Sequence, residues 1–252
     1  MLTAAFDASG HESDQRFLVV AGFVSSTEDW GDLSQRWTKR IQRDGISCFH
    51  AVECENNTNE FWGWKDKVDE KTKLKEDLID IIQSCTYRLF ASVVEIGTLG
   101  TLSPENRAQY GLRAYALAGR TCAARVRQWS ASWGARCVPE LVFEEGDVGS
   151  AELETRLVED GFSKPIFSPK RDGTKRDGQV RPAFIPLQAA DFFAYELFVA
   201  SKTLSADRWE LEALIRKPGT MGTYQVGDLK ELDRLLALRT EELKNQERIT
   251  RQ

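Results

Sequence analysis

Residues 2–24 read LTAAFDASGHESDQRFLVVAGFV and contain two apolar runs with a polar segment between them. The runs at residues 2–8 and 16–24 are rich in Phe, Val and Ala, and residues 9–15 are typical of a turn. This pattern predicts a β-hairpin at the start of the chain. Asp7 ends the first run, and an ionised carboxylate beside a buried strand carries a desolvation cost unless a cation or hydrogen bonds compensate it.

Helical and strand patterns alternate after the hairpin, with an irregular stretch at residues 49–64. Ser26 and Asp29 resemble a capping box at the start of the first helix. Helices are predicted at about 27–43, 66–85, 104–133, 150–161 and from Pro186, and strands at 87–95, 140–144 and 165–168. The order predicts one α/β domain over residues 1–252, with a mixed sheet flanked by helices. A helical extension from about residue 205 is expected, because residues 228–248 have a charged amphipathic pattern.

Composition limits the function classes. The chain has 252 residues and a net charge of -5, so it is not a polycation that coats nucleic acid, although a local basic patch would still bind phosphate. Its five cysteines are scattered without C-x-x-C spacing, which argues against a zinc site or a disulfide framework and favours a reducing cytoplasm. No apolar run reaches about 18 residues, and the N-terminus lacks a basic region, so neither a membrane span nor a signal peptide is expected.

Two further carboxylates occupy positions comparable to that of Asp7. Glu144 ends the apolar run 141–143, and Asp191 lies on the apolar stripe of the helix that starts near Pro186. Three carboxylates that the fold brought together would bind hard divalent cations such as Mg²⁺ or Mn²⁺. Taken one at a time, each has an ordinary explanation: a turn-capping Asp7, a solvated acidic turn after Glu144, and an Asp191 paired with a buried arginine.

The acidic stretch after residue 143 contains Glu144, Glu145 and Asp147. Side chains alternate along a strand, so Glu144 and Glu145 should point to opposite faces. We favour Glu144 as the ligand because it directly follows the buried run. Asp147 is expected to be an N-cap or a turn residue.

His50 is a further candidate catalytic residue, because it follows an aromatic residue in an apolar context. A histidine there could orient a water, bind phosphate or ligate the metal, and a hydrogen-bonded, half-buried histidine is the ordinary alternative. Gln188 and Tyr195 lie one helical turn to either side of Asp191 and could project with it. His11 is expected to be exposed in the hairpin turn.

The loop before the late helix is basic, and four of its side chains are predicted to contact a phosphodiester backbone. They are Lys170, Arg171, Lys175 and Arg176. A solvated surface loop explains the same composition equally well. The aromatic residues Phe61, Trp62 and Trp64 could stack on bases, but core packing is the favoured interpretation.

Three motifs together resemble the domain-of-unknown-function 3800 family over roughly residues 2–200. They are Asp7-Ala8-Ser9-Gly10, Phe143-Glu144-Glu145-Gly146-Asp147 and Pro186-Leu187-Gln188-Ala189-Ala190-Asp191. Phe49-His50-Ala51 also matches an internal histidine that the family often carries. Ala8 replaces the family's usual Glu, and on a strand its side chain would point away from that of Asp7.

The family is similar to the ribonuclease H-like fold, which places one carboxylate on its first strand, one on a neighbouring central strand and one on a late helix. The resemblance therefore implies a ribonuclease H-like mixed sheet and a metal-dependent nuclease that acts on DNA or RNA. Asp7 would bridge two Mg²⁺ or Mn²⁺ ions, Glu144 and Asp191 would each complete one metal site, and His50 would assist catalysis. Ser9 and Gln188, which lie within the motifs, would contact the substrate.

Two other functions fit the same sequence. A non-catalytic binding or regulatory module that retains the fold would have its carboxylates separated or paired with Arg or Lys. Phosphoryl chemistry on a small nucleotide would require a closed pocket rather than a groove.

Overall fold

The computed structural model describes residues 1–252 except 12, 14–15, 106–112, 133–137, 175–179, 204–207, 217–218 and 225–252. The strands are β1 (Leu2–Ser9), β2 (Phe17–Ser26), β3 (Arg88–Glu95), β4 (Glu140–Glu144), β5 (Ile166–Ser168), β6 (Gly173–Thr174), β7 (Val180–Arg181) and β8 (Gly219–Tyr224). The helices are α1 (Thr27–Gln42), α2 (Ala51–Asn56), α3 (Val68–Cys85), α4 (Ile96–Gly100), α5 (Ala114–Ser132), α6 (Ser150–Glu159), α7 (Pro186–Thr203) and α8 (Trp209–Ile215), with a 3₁₀ turn at Asn59–Phe61.

The main sheet is mixed and has the strand order β5-β4-β1-β2-β3-β8, which confirms the predicted α/β class. β1, β2 and β3 form an antiparallel meander, while β4 runs parallel to β1 and β5 runs parallel to β4. Phe6 of β1 is in register with Phe143 of β4. Asp7 and Glu144 each follow these paired residues by one position, so both carboxylates leave the sheet at the same edge.

Helices cover both faces of the sheet. The alternation along β1 separates two cores, because Ala5 packs on one side with α1, α3, α7 and α8, while Ala4 and Phe6 pack on the other with α5 and α6. Asp7, one position beyond Phe6, therefore points to the face that α7 covers. Asp191 of α7 faces the same side of the sheet.

Most of the predicted elements are confirmed. Ser26 caps α1, because its hydroxyl accepts a hydrogen bond from the backbone N–H of Asp29 at 3.0 Å. The helix predicted at 104–133 is confirmed over Ala114–Ser132, and the stretch predicted to be irregular contains α2 and the 3₁₀ turn.

The predicted C-terminal extension contains a helix and also a strand. Helix α8 packs on α3 and α7, and β8 pairs in parallel with β3 at the edge of the sheet. The helix predicted at 228–248 lies outside the described residues. None of the described helices combines the length and the apolar character needed to cross a bilayer.

Gly22 allows β1 and β2 to approach closely beside Asp7. A Cβ atom at this position would lie 1.8 Å from the carbonyl oxygen of Ala5, so any side chain must separate the two strands. We expect Gly22→Ala to lower the free energy of unfolding by about 3 kcal/mol, measured by urea denaturation.

Gly31 provides the matched control. It is exposed in the middle of α1, and a Cβ atom there meets nothing within 4 Å. Gly31→Ala should raise the free energy of unfolding by about 0.5–1 kcal/mol. Equal unfolding midpoints for the two variants would contradict the close approach of β1 and β2.

Candidate functional site

The three predicted carboxylates converge on one buried ammonium group. Lys170 Nζ lies 3.0 Å from Asp7 Oδ2, 3.0 Å from Glu144 Oε2 and 2.9 Å from Asp191 Oδ1. Asp7 comes from the end of β1, Glu144 from the end of β4 and Asp191 from the second turn of α7. The fold thus brings these acids together, as the sequence predicts, but a lysine that was expected to bind phosphate lies between them.

Lys170 does not extend into solvent. Only 9% of the residue is exposed. Burial alone would lower the pKa of Lys170, but the charges of Asp191, Asp7 and Glu144 outweigh that effect and raise the pKa above its usual value. The ammonium therefore stays charged and pairs with the three carboxylates, and the contact of Lys170 with the substrate backbone stays a prediction.

One ammonium neutralises the carboxylates unequally. Burial raises the pKa of Asp7 well above its usual value. The charges of Asp191 and Glu144 raise this pKa further, while the charge of Lys170 lowers it. At Asp191 the effect of burial is outweighed by Lys170, by His50 and by the backbone N–H of Ala51, which donates to Oδ2 at 2.7 Å, so its pKa is lowered. Asp191 is thus compensated, whereas Asp7 still favours a further cation or a proton.

Gln188 is fully buried and is used internally. Its Oε1 accepts hydrogen bonds from Trp37 Nε1 and from the Phe49 backbone N–H, each at 2.9 Å. Its Nε2 donates to the Lys170 carbonyl at 2.9 Å. The substrate contact predicted for Gln188 is therefore corrected to a positioning role, because its polar atoms are taken up in joining α1, the segment before α2 and Lys170 to α7.

Asp147 is a site residue that the sequence interpretation missed. Asp7, Glu144 and Asp147 each offer a carboxylate oxygen within 4.8 Å of the others, which makes them a possible set of metal ligands among the described residues. The N-cap of α6 is Gly149, so Asp147 does not have the cap role considered for it. The sequence signal that could have identified Asp147 was the high density of acidic residues at 144–147. In the structure, the turn at Gly146, with φ 99°, brings the chain back towards the cluster.

The chemistry of this set fits a hard divalent cation. All its donors are carboxylate oxygens, which Mg²⁺ and Mn²⁺ prefer. Asp147 Oδ2 is buried and has no hydrogen-bond partner among the described residues, an arrangement that costs free energy unless a ligand compensates it. Asp191 is not a member of this set and instead binds Lys170 and Ala51.

His50 lies at the edge of the cluster. Its Nε2 is 3.4 Å from Asp191 Oδ1, and its Nδ1 is 2.9 Å from Glu53 Oε1. Arg171 also forms an ion pair with Glu53. Burial alone would raise the pKa of Glu53, but the hydrogen bonds from Arg171 and His50 lower it to about 2. The ionised Glu53 thus holds His50 and Arg171 beside the carboxylates.

The other predicted residues divide into those near the cluster and those elsewhere. Ser9 is partly exposed at the end of β1, and Arg171 is 38% exposed at its side chain, so both remain candidates for substrate contact. Lys175 and Arg176 lie outside the described residues. Phe61 and Trp64 are buried in the core, as favoured, while Trp62 is 83% exposed.

Glu144 and Glu145 have different partners, because Glu144 contacts Lys170 while Glu145 forms an ion pair with Arg181. Ala8 packs against the core on the α5 side of the sheet, opposite to Asp7. Position 8 therefore does not contribute a side chain to the face that carries the cluster.

Neither the family models nor the curated proteins compared with this chain give a match.

Asp147 provides a pH-dependent test of the site. Burial, and secondarily the charge of Glu144, raises the pKa of Asp147 from an ordinary 3.8 to about 6. Between about pH 4 and pH 6 the native state keeps a proton that the unfolded state releases, so stability falls as the pH rises through this window. In EDTA, Asp147→Asn should be more stable than the wild type by roughly 2 kcal/mol at pH 7.5.

The difference between the two proteins should shrink as the pH falls towards 4, because the carboxyl is then protonated in the native state and increasingly protonated in the unfolded state. Urea denaturation at the two pH values measures it. A difference that does not change with pH would show that the burial of Asp147 is not what strains this site.

Proposed function

We propose that this protein is a divalent-metal-dependent nuclease that hydrolyses phosphodiester bonds in DNA or RNA. The observation that carries the proposal is the convergence of Asp7, Glu144 and Asp191 from three distant parts of the chain, with Asp147 beside them. Buried like charges destabilise a fold, and such groups cluster where binding or catalysis requires them.

The position of each carboxylate supports a ribonuclease H-like fold as part of the same proposal. Asp7 lies on the first strand, Glu144 on the neighbouring strand that runs parallel to it, and Asp191 on a late helix. This is the distribution that the resemblance implies.

Asp7, Glu144 and Asp147 would hold Mg²⁺ or Mn²⁺. The bound metal would activate a water and stabilise the leaving oxygen of the phosphodiester. Asp191 then acts differently from the sequence-based expectation, because it orients Lys170 and faces His50 rather than joining that ligand set. His50, half-buried beside Asp191, is placed to orient the water or to hold a proton at the scissile phosphate.

The charge of the site makes the metal necessary for substrate binding. Three carboxylates contact one ammonium and a fourth, that of Asp147, lies beside them, so the cluster by itself repels a phosphodiester. A divalent cation reverses this local charge, and Arg171, at the partly exposed edge, is available for a second phosphate contact.

A non-catalytic binding module is the second candidate, and Lys170 is the observation that favours it. Three ion pairs of 2.9–3.0 Å compensate the predicted metal ligands without any metal. Such a module would bind nucleic acid equally well in Mg²⁺ and in EDTA, and it would leave the strand intact.

A nuclease assay on labelled single- and double-stranded DNA and RNA distinguishes these candidates. The wild type should cleave in Mg²⁺ or Mn²⁺ and not in EDTA. Asp7→Asn and Glu144→Gln should each lower kcat/KM by about a hundredfold or more, since the metal's stabilisation of the transition state is worth several kcal/mol. Asp191→Asn should also lower kcat/KM, because it weakens the contacts that orient Lys170 and His50.

Glu145→Gln is the matched control, because it makes the same chemical change one residue along the chain, at a carboxylate that pairs with Arg181 and not with Lys170. This variant should cleave at close to the wild-type rate. Cleavage that persists in EDTA, or equal losses in Glu144→Gln and Glu145→Gln, would overturn the assignment of the site. Metal-independent binding without cleavage would favour the module.

A further inference from the structure

We infer that Lys170 permanently occupies one of two cation positions in this site. The chain therefore binds one divalent cation, whereas a site of this kind built only from carboxylates would bind two. The inference rests on the proposed function. It identifies the Lys170 ammonium as a cation that the protein itself supplies to the site. It assigns Lys170 as a positioning residue and Asp147 as the ligand that completes the remaining cation position with Asp7 and Glu144.

The geometry of the ammonium group is that of a bound cation. Its nitrogen is almost equidistant from Asp7 Oδ2, Glu144 Oε2 and Asp191 Oδ1, at 3.0, 3.0 and 2.9 Å. An ammonium has three hydrogen-bond donors, and here three carboxylate oxygens surround it. Nζ donates hydrogen bonds to Asp7 Oδ2 and Asp191 Oδ1 and forms an ion pair with Glu144 Oε2, so the ammonium lies within the cluster.

The backbone of Lys170 is held in place. Its carbonyl accepts hydrogen bonds from Gln188 Nε2 at 2.9 Å and from Cys48 Sγ at 3.6 Å. Gln188 is itself fixed by Trp37 and Phe49. The neighbouring Pro169 carbonyl accepts from the Phe184 N–H at 2.8 Å. The base of the side chain is thus anchored in the core, and with 9% of the residue exposed the ammonium is buried among the carboxylates.

A second cation position remains beside the ammonium. Asp7 and Glu144 each contact Lys170 through a single oxygen. The same two residues form, with Asp147, the set whose carboxylate oxygens lie within 4.8 Å of one another, and within the described part of the chain Asp147 Oδ2 is buried without a hydrogen-bond partner. This set is compact and oxygen-only, whereas Asp191 is already compensated by Lys170 and by the Ala51 N–H. A divalent cation is therefore expected at Asp7, Glu144 and Asp147.

Metal stoichiometry tests this arrangement directly. Mn²⁺ is titrated into the full chain and followed by electron paramagnetic resonance, with isothermal calorimetry as the second readout. We expect one Mn²⁺ per chain for the wild type. Lys170→Met removes the charge but keeps an unbranched side chain, and it should bind two Mn²⁺ ions, because the position between Asp7, Glu144 and Asp191 is then open to a metal.

Lys164→Met is the matched control. Lys164 pairs with Glu154 on the surface, with 72% of its side chain exposed, and this variant should bind one Mn²⁺ as the wild type does. Circular dichroism shows whether each variant is folded. The wild-type count remains decisive even if Lys170→Met does not fold.

The possible outcomes separate this inference from the proposed function. Two Mn²⁺ ions in the wild type would overturn the inference while leaving a metal-dependent nuclease intact. A single, more tightly bound Mn²⁺ in Lys170→Met would also overturn it, because the lysine would then be a competitor for the metal. Absence of Mn²⁺ binding by the wild type would contradict the proposed function itself, and the inference with it.

Discussion

The compensation of buried negative charge around Lys170 is the interaction on which the rest of this site depends. Asp7, Glu144 and Asp191 are brought out of water by three different elements, and their mutual repulsion would oppose the packing of α7 onto the sheet. The ammonium of Lys170 offsets that repulsion at distances of 2.9–3.0 Å. Lys170, in the loop between β5 and β6, therefore makes the burial of these three carboxylates possible.

A second set of contacts keeps this loop in place. Gln188, one turn before Asp191, ties the Lys170 carbonyl to Trp37 and to the backbone of Phe49. Asp191 itself accepts from the Ala51 N–H, at the start of the helix that also carries Glu53. One face of α7 thus positions both the lysine and the histidine segment. The polar groups on that face, the Asp191 carboxylate and the Gln188 amide, have hydrogen-bond partners inside the protein. Rigid support of this kind is what a site needs if its groups are to act on a substrate without rearranging first.

Much of the fold could be predicted because local patterns decide it. The two runs of residues 2–24 form β1 and β2, and the Ser26–Asp29 box starts α1, because hydrogen bonding and burial at these positions involve near neighbours in the chain. The alternation of side chains along a strand was sufficient to place Ala8 on the face opposite to Asp7. Less regular stretches were less predictable: α2 and the 3₁₀ turn fall in residues 49–64, where no long apolar period exists.

The site shows the limit of this local information. From the amino-acid order alone, Asp7, Glu144 and Asp191 could be identified as costly charges at the ends of buried strands or on an apolar helix face. Only the tertiary structure decided what lies between them. Lys170 resembles any other basic residue of its loop, and Asp147 resembles a turn residue, because a side chain's electrostatic environment depends on groups far away in the chain. The register of β1 with β4 and the packing of α7 set that environment, and both are determined by the burial of the whole sheet rather than by neighbouring residues.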